Sequence, residues 1–496
     1  MKVTIVFCRP APSWYLQSGC QPPLGTATVA ASLERAGHIV RFLDLGFESI
    51  ESFSRHLIEF HPNLVGFYVD SPSLGTQEPY TKAVKEILPS ALVTAGGPHP
   101  SIFPESMLDA DSNIKISVIG EGEMSMVDLA DAMEGGAKDF SKVGGLVIRT
   151  GDGPMSTGPS KKIDDLSSLP WPARHLLPME HYLSIPPDLP YPYRTTGVLW
   201  SRGCFGNCSY CQPIPRKMFG SGVRRREIGD VVDELEFLYK TYKINSFAWN
   251  DAEPFYRAKD WQLALADEIL RRGLRLHWGG LTRVDSVDRE TLRMLKKAGL
   301  FTLSFGVESG SPKMLKCMRK GITPEVTRET FRIAKEMGIV TVANFMVGTP
   351  GETHETLAET LKLLKQIKPD LIRMAVTVGV PGTDMYRELE EKGMIRLTDW
   401  REIDASVIGP IALEHLTDRD IEAWVRRLVR TYLLQLAASV FHPGQLAGTK
   451  GKLLYHVSRH FIGMLTRPMT LLQDLEYYLL YARKSTSRHV GFLSGI

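Results

Sequence analysis

The stretch Ser201-Arg-Gly-Cys-Phe-Gly-Asn-Cys-Ser-Tyr-Cys211 decides how this chain is read. Its three cysteines, Cys204, Cys208 and Cys211, are close enough in sequence for thiolates of one loop to reach a single metal centre. Such a loop offers an iron–sulfur cluster three ligands where four are usual. The fourth iron is then left open, and an open position is what separates a catalytic metal site from a closed structural one. The competing reading is a structural zinc with a fourth ligand from Cys317, His175 or His181. Zinc loops usually pair two short cysteine units, and no second unit exists here. Six cysteines in 496 residues, half of them in this loop, are not a secreted disulfide framework.

The spacing C-x3-C-x2-C, with Tyr210 just before the last cysteine, resembles the cluster loop of the radical S-adenosylmethionine (radical SAM) superfamily. The resemblance implies a [4Fe-4S] cluster on Cys204, Cys208 and Cys211. It also implies that the open iron holds the amino and carboxylate groups of SAM. An electron from a donor such as flavodoxin or ferredoxin then cleaves SAM to a 5′-deoxyadenosyl radical.

Around that loop the composition is ordinary for a globular protein, with 43% hydrophobic and 23% charged residues. A net charge of +3, from 59 basic and 56 acidic residues, gives no support for a nucleic-acid surface. A chain of this length is expected to hold more than one domain, since single cores stop growing near ~250 residues. The apolar start is too short for a signal peptide, and no run of ~18 uncharged apolar residues suggests a transmembrane span. An exposed cluster site without an export signal points to a reducing cytoplasm.

Residues 1–150 alternate strand patterns (3–7, 39–45, 64–69, 92–95, 116–119) with helix patterns (24–36, 50–60, 80–88, 124–133). That alternation predicts an α/β domain with a Rossmann-like parallel sheet, whose ligands bind at the carboxyl ends of the strands. The residues there are Asp70, Ser71 and Ser73, then Gly96, Gly97, Pro98 and His99, then Gly120, Glu121, Gly122 and Glu123. They are preceded by Pro22-Pro-Leu-Gly25, with Leu24 and Gly25, and by Gly37-His38 before the second strand. In this order, and followed by the cysteine loop, they resemble the cobalamin-binding domain of the B12-dependent radical SAM subfamily. The resemblance implies that these loops cradle the corrin and its nucleotide tail. The D-x-H-x-x-G motif by which other B12 domains supply a histidine to cobalt is absent. His99, between two prolines, is read as part of a turn, and the loop from Asp70 to Ser73 is expected under the corrin without ligating it. A methylthiotransferase would need three further cysteines here, where only Cys8 and Cys20 exist. A nicotinamide-binding fold would place G-x-G-x-x-G after the first strand, where the chain has Cys8-Arg-Pro-Ala-Pro12.

Residues 151–194 form a Pro-rich linker. Within it, 151–160 is read as a loop or domain boundary, 169–178 as an ordered strap and 186–193 as lining for a substrate entrance. Residues 195–395 alternate again, with strands at 196–200, 246–249, 276–278, 302–306, 341–346 and 371–376, which predicts a partial (β/α)6 radical SAM barrel. In such barrels the chemistry sits just beyond the strands. SAM, a zwitterion with a ribose diol and an adenine, wants a cation, an anion, hydroxyl acceptors and an apolar slot. Arg283 suits its carboxylate. Asp251 and Glu253 occupy the place of the family's amine-contacting motif, Glu308 with Ser309 resembles the ribose side, and Tyr210 with Val347 and Gly348 brackets adenine.

From 396 to 496 the alternation ends, with helices expected at 418–439 and 471–483. The region is read as a mostly helical cap where the substrate is chosen. Its apolar, cation-studded stretch 450–465 fits either that cap or peripheral contact with a membrane surface. The resemblance as a whole implies a cobalamin-dependent radical SAM enzyme that methylates an unactivated carbon of a small-molecule or biosynthetic-intermediate substrate. Non-methylating cyclisation or rearrangement, and a non-catalytic corrinoid or cluster sensor, are the alternatives. The sequence names neither substrate nor catalytic residue.

Overall fold

A computed structural model describes residues 1–9, 21–183, 194–211, 216, 218–396, 399 and 410–440. The first sheet contains β1 (Lys2–Phe7), β2 (Ile39–Asp44), β3 (Leu64–Tyr68), β4 (Leu92–Gly96) and β5 (Ile116–Val118), parallel in the order β2-β1-β3-β4-β5. Helices α1 (Leu24–Arg35), α2 (Ile50–Phe60), α3 (Glu78–Ile87) and α4 (Gly122–Glu134) cover it. Because strand side chains alternate faces, Val3 and Ile5 pack with Ala27, Ala30 and Leu129 of α1 and α4. Val6 packs on the opposite face with Phe53, Leu57 and Val84 of α2 and α3. Both faces are covered, so a core runs on each side of the sheet.

The sheet is wider than the sequence patterns predict. Strands β6 (Leu146–Thr150) and β7 (Gly153–Ser156) add to its edge in antiparallel fashion. Residues 151–160, read as a loop or boundary, therefore contain an edge strand. The turn is two residues long, Gly151-Asp152, and Thr150 Oγ1 closes it by donating to the Gly153 carbonyl at 2.7 Å.

The linker that follows is an ordered strap. Trp171 Nε1 donates to Asp230 at 2.7 Å, and buried Arg174 is paired with Glu234 and donates to the Gly197 carbonyl at 2.9 Å. Residues 186–193, the expected entrance lining, lie outside the described residues.

The second sheet is six-stranded and parallel. It runs from β8 (Thr195–Val198), past a separate antiparallel hairpin of β9 (Ser201–Cys204) and β10 (Gly222–Arg225), to β11 (Ser246–Trp249), β12 (His277–Thr282), β13 (Leu300–Glu308), β14 (Val340–Val347) and β15 (Leu371–Val376). Helices α5 (Ile228–Thr241), α6 (Lys259–Arg271), α7 (Arg289–Lys297), α8 (Pro324–Glu336) and α9 (His354–Ile367) alternate with these strands. Several helices start where a side chain caps the first turn: Asp288 accepts from Thr291 N, Thr323 from Val326 N and Thr353 from Thr356 N. Rings of Trp200, Phe247, Trp249 and Trp278 fill the sheet interior below the cysteine loop, with Trp200 and Trp249 stacked at 5.5 Å. This is the partial (β/α)6 barrel, with β8 and β15 at its edges.

After β15 the chain forms α10 (Asp418–Val440). Its start stands near the C-terminal end of β14, and Tyr432 further along donates to the Asp370 carbonyl just before β15, at 2.8 Å. Helix α10 therefore descends the flank of the barrel beside α9. Trp424 Nε1 joins it to His354 Nδ1 at 2.8 Å. The expected helix 471–483 and the basic stretch 450–465 lie outside the described residues. No helix among the described residues is long and apolar enough to cross a membrane.

Candidate active site

The cysteine loop is held from behind by one carboxylate. Asp251, just past β11, accepts the backbone N–H of Trp200 on both oxygens and that of Ser201 on Oδ1, each at 3.0 Å. These N–H groups sit in the turn from β8 into β9, so the acid fixes the course of the strand that ends in Cys204. Burial lifts Asp251 to a pKa of about 7, against the lowering effect of its backbone donors. Gly203 has φ +96°, and a Cβ there would stand 2.2 Å from the Gly222 carbonyl, so only glycine lets the hairpin close beside Cys204. Further along, Ser209 N donates to Met318 O at 3.0 Å and Ser209 O accepts from Met385 N at 2.9 Å.

The sulfurs fit a cluster better than a single ion. A Cβ on Gly206 would stand 3.4 Å from Cys204 Sγ and 3.7 Å from Cys208 Sγ, so the loop folds back around a small cradle. Zinc at about 2.3 Å from each sulfur would need them about 3.8 Å apart. Among the described residues, the trio of potential ligands within 4.8 Å of one another is His38, Asp131 and Glu134, not the cysteines. The candidate zinc partners also lie elsewhere: His175 pairs with Glu34 at 3.0 Å and His181 stacks on Phe47. Cys317 Sγ contacts the Pro350 carbonyl at 3.9 Å. Desolvation pushes the Cys211 thiol up to about 12, and Cys208 and Cys204 add to it. The positive charge of a bound metal would offset that shift and favour the thiolate.

Around the loop stand the expected polar groups. Glu253 accepts from Thr282 Oγ1 at 2.8 Å and from Arg283 N at 2.7 Å, so it braces the end of β12. Arg283 forks onto Asp285 through Nε and Nη2, both at 2.8 Å. Its Nη1 points to the cradle, 3.9 Å from the Gly206 Cβ position. Glu308 closes β13, where the register slips after Gly306, and holds φ +60°. It pairs with Lys320 Nζ at 2.6 Å in a site where both side chains are under one-tenth exposed. Lys320 in turn reaches the Tyr210 hydroxyl at 3.3 Å. Ser309 is buried and shares a hydrogen bond with Thr360 at 3.1 Å.

At the end of β14, buried Val347 leads to Gly348, whose φ of +73° needs glycine. Gly348 N donates to Glu352 Oε2 at 2.6 Å, and burial lifts that acid to about 7. Leu413 stands 3.8 Å from the Gly348 Cβ position and belongs to the apolar cluster that receives Tyr210.

In the first domain, Leu24 approaches the second sheet, its Cδ1 3.2 Å from where a Cβ of Gly197 would be. Gly25 faces open space. Asp70 caps the turn Ser71–Ser73 through Ser73 N at 2.9 Å, and Ser71 Oγ meets His99 Nδ1 at 3.0 Å. His99 is buried beneath that turn, and burial pushes its pKa down to about 4, which keeps the ring neutral. Gly96 ends β4. Gly97, at φ +107°, precedes the helical turn Pro98–Ile102, and a Cβ on it would strike the Tyr68 ring at 2.9 Å. After β5, Gly120 and Gly122 flank Glu121, and Glu123 follows. Both acids are buried and both reach the cysteine hairpin: Glu123 pairs with Arg202, and Glu121 pairs with Arg224 and lies 3.3 Å from Arg202. The carboxyl edge of the first sheet thus meets the loop that carries Cys204.

Residues 198–364 match the profile of the radical SAM superfamily, and residues 18–130 match that of the B12 binding domain. The chain belongs to the cobalamin-dependent radical SAM family. An uncharacterized methyltransferase of Pyrococcus horikoshii is 28% identical over 84% of this chain and 88% of its own length. An anaerobic magnesium-protoporphyrin IX monomethyl ester cyclase of Cereibacter sphaeroides is 31% identical over 76% of this chain and 61% of its own. Among solved structures, the radical SAM methyltransferase TsrM of Kitasatospora setae, with cobalamin and a [4Fe-4S] cluster bound, superposes with a TM-score of 0.66. It covers 88% of each chain at 21% identity. The cofactors of the family are a [4Fe-4S] cluster, SAM and cobalamin.

For a member of this family, the sequence reading passed over three cations of the site. Lys320 looks like any other lysine in the run Lys313 to Lys320, and only the fold sinks it beside Glu308. Arg202 and Arg224 were equally anonymous. Arg202 stands two residues before Cys204, and only the fold sets Arg224 opposite it across the hairpin.

Proposed function

We propose that this cobalamin-dependent radical SAM enzyme methylates an unactivated carbon of a small-molecule substrate. The observation that carries the reading is the buried contact between the Gly120–Glu123 loop and the β9–β10 hairpin, which sets the carboxyl edge of the first sheet against the hairpin that ends in Cys204. When bound, the cluster and SAM supply a hydrogen-abstracting radical and the corrinoid supplies a transferable methyl group. A nucleophilic methylase needs neither group, so a chain built for both fits a carbon that cannot be deprotonated. The resemblance to a methyltransferase over 84% of the chain supports the same reading.

In this reading the chain's own residues bind and orient. Cys204, Cys208 and Cys211 hold the cluster. Arg283 Nη1 and the Lys320 ammonium offer cations to the SAM carboxylate, Glu308 accepts from the ribose, and Tyr210 with Val347, Gly348 and Leu413 encloses adenine. Asp251 and Glu253 act one step back, on the backbone that carries the ligand loop and on Arg283. Leu24, Gly25, Gly96, Gly97 and Gly120 leave room for the corrin, over the turn Asp70–Ser73. A low-potential flavodoxin or ferredoxin delivers the electron, in a reducing cytoplasm that keeps the three thiols available.

The 31% identity to a cyclase supports a second reading, oxidative ring closure without methyl transfer. Anaerobic incubation of the reconstituted protein with SAM, reductant, cobalamin and candidate substrates separates the two. Methylation yields S-adenosylhomocysteine together with 5′-deoxyadenosine. Deoxyadenosine alone with a cyclised product would establish the second reading, and neither product with any substrate would favour a sensor.

A further inference from the structure

Two acids of the first domain and two arginines of the second form a buried knot. The β9–β10 hairpin pairs Arg202 directly opposite Arg224. Directly opposed side chains share a face, and like charges there destabilise the pair. Here each guanidinium has its own carboxylate. Arg224 forks onto both oxygens of Glu121, with Nη1 at 3.1 Å from Oε2, and Arg202 forks onto both oxygens of Glu123, with Nη1 at 3.3 Å from Oε2. The two arginine side chains are 13% exposed, Glu121 2% and Glu123 4%. Burial alone would raise the Glu121 pKa, but its hydrogen bonds from Arg224 and Ile163 N and the charge of Arg202 bring it below the usual range.

The knot also takes in the linker. Glu121 N donates to Ser160 Oγ at 3.1 Å, and Glu121 Oε2 accepts from Ile163 N at 2.9 Å. Its backbone N–H and both carboxylate oxygens therefore serve contacts to the linker and the hairpin. Both carboxylates are taken up by arginine, so they serve the contact with the hairpin. Arg202 lies two strand residues from Cys204, about 7 Å along the chain. A shift of the pair is therefore passed to the first cluster ligand with little slack.

We propose that Arg202 and Arg224 are positioning residues which, through Glu123 and Glu121, set the separation between corrin and cluster. That separation decides what fraction of radical events ends in group transfer. The product readout rests on the methyltransferase reading above, whereas the distance readout does not.

The test uses the holoenzyme with cluster and cob(II)alamin bound, and the dipolar interaction between the reduced cluster and Co(II) is read by electron paramagnetic resonance. In Glu123→Gln and in Arg202→Lys, which keeps the charge but loses the fork, the interaction should broaden or shift. The ratio of S-adenosylhomocysteine to deoxyadenosine should fall about tenfold, with iron and cobalamin content unchanged. The exchanged double variant Glu123→Arg/Arg202→Glu should recover at least half of the parent ratio and narrow the dipolar spectrum again. A dipolar spectrum superimposable on the parent's overturns the proposal, as does a product ratio that falls only in step with cofactor loss. A shifted spectrum in a protein whose parent makes no S-adenosylhomocysteine would leave the clamp standing and remove the methyltransferase reading.

Discussion

Asp251→Asn tests whether one buried acid shapes the cluster loop. In the parent, its two oxygens meet Trp200 N and Ser201 N through three contacts of 3.0 Å. Asparagine keeps Oδ1, which still accepts from both N–H groups, but its amide NH2 replaces Oδ2 and faces the Trp200 N–H donor to donor. The buried amide NH2, left without an acceptor, costs about 1–3 kcal/mol, and the cost falls beside the turn that leads to Cys204. The substitution also removes a titration. Burial raises Asp251 from 3.8 to about 7, so the folded chain holds this proton more tightly than the unfolded one. The acid's contribution to stability is therefore complete below pH ~4 and is lost as the pH rises through ~7. At 1.36 kcal/mol per pKa unit the full span is about 4 kcal/mol, of which about 2–3 kcal/mol falls between pH 5 and 8. Urea unfolding of the cofactor-free parent and variant at several pH values measures it directly. The parent's stability relative to the variant should decline by that amount from pH 5 to 8. After anaerobic reconstitution at pH 8 the variant should hold less than half the parent's iron. A parent-minus-variant difference flat within ~0.5 kcal/mol, together with full iron loading, would refute both parts of the reasoning.

Replacing Cys204, Cys208 and Cys211 together by alanine should abolish iron binding and the associated visible absorption, whereas Cys317→Ala should leave both unchanged. Lys320→Met strands Glu308 in a buried site and should cost about 3–5 kcal/mol in a denaturation experiment. Adding Glu308→Gln should restore most of that stability but not SAM affinity, which equilibrium dialysis should find at least tenfold weaker in both. Gly97→Ala must hold φ +107° against the Tyr68 ring, and should cost about 1–3 kcal/mol while weakening cobalamin retention on gel filtration. Gly25→Ala, which meets nothing within 4 Å, should change stability by no more than ~1 kcal/mol, the helix-propensity difference.

Much of the architecture was legible because its signals are local. Strand periodicity placed all six barrel strands, and Asp288 and Thr353 announce their helices by capping geometry that operates within four residues. The edge hairpin of β6 and β7 was missed for the opposite reason. Its second strand, Gly153 to Ser156, is short and mostly exposed, so pairing with β6 rather than side-chain pattern makes it a strand. The position of Asp251 and Glu253 just past a strand was legible, but whether they face a ligand or brace backbone depends on donors 51 and 30 residues away.

The sequence by itself determined the crowding of three thiols into one loop and the order of the two α/β units, since the spacing of cysteines in one loop and the period of apolar residues are properties of neighbouring residues. Only the tertiary structure decided which charges are buried together. Glu123 and Arg202 stand 79 residues apart, and an acid or a cation reads the same in sequence whether water or a partner solvates it. Burial makes such a partner obligatory, and burial is a property of the folded chain.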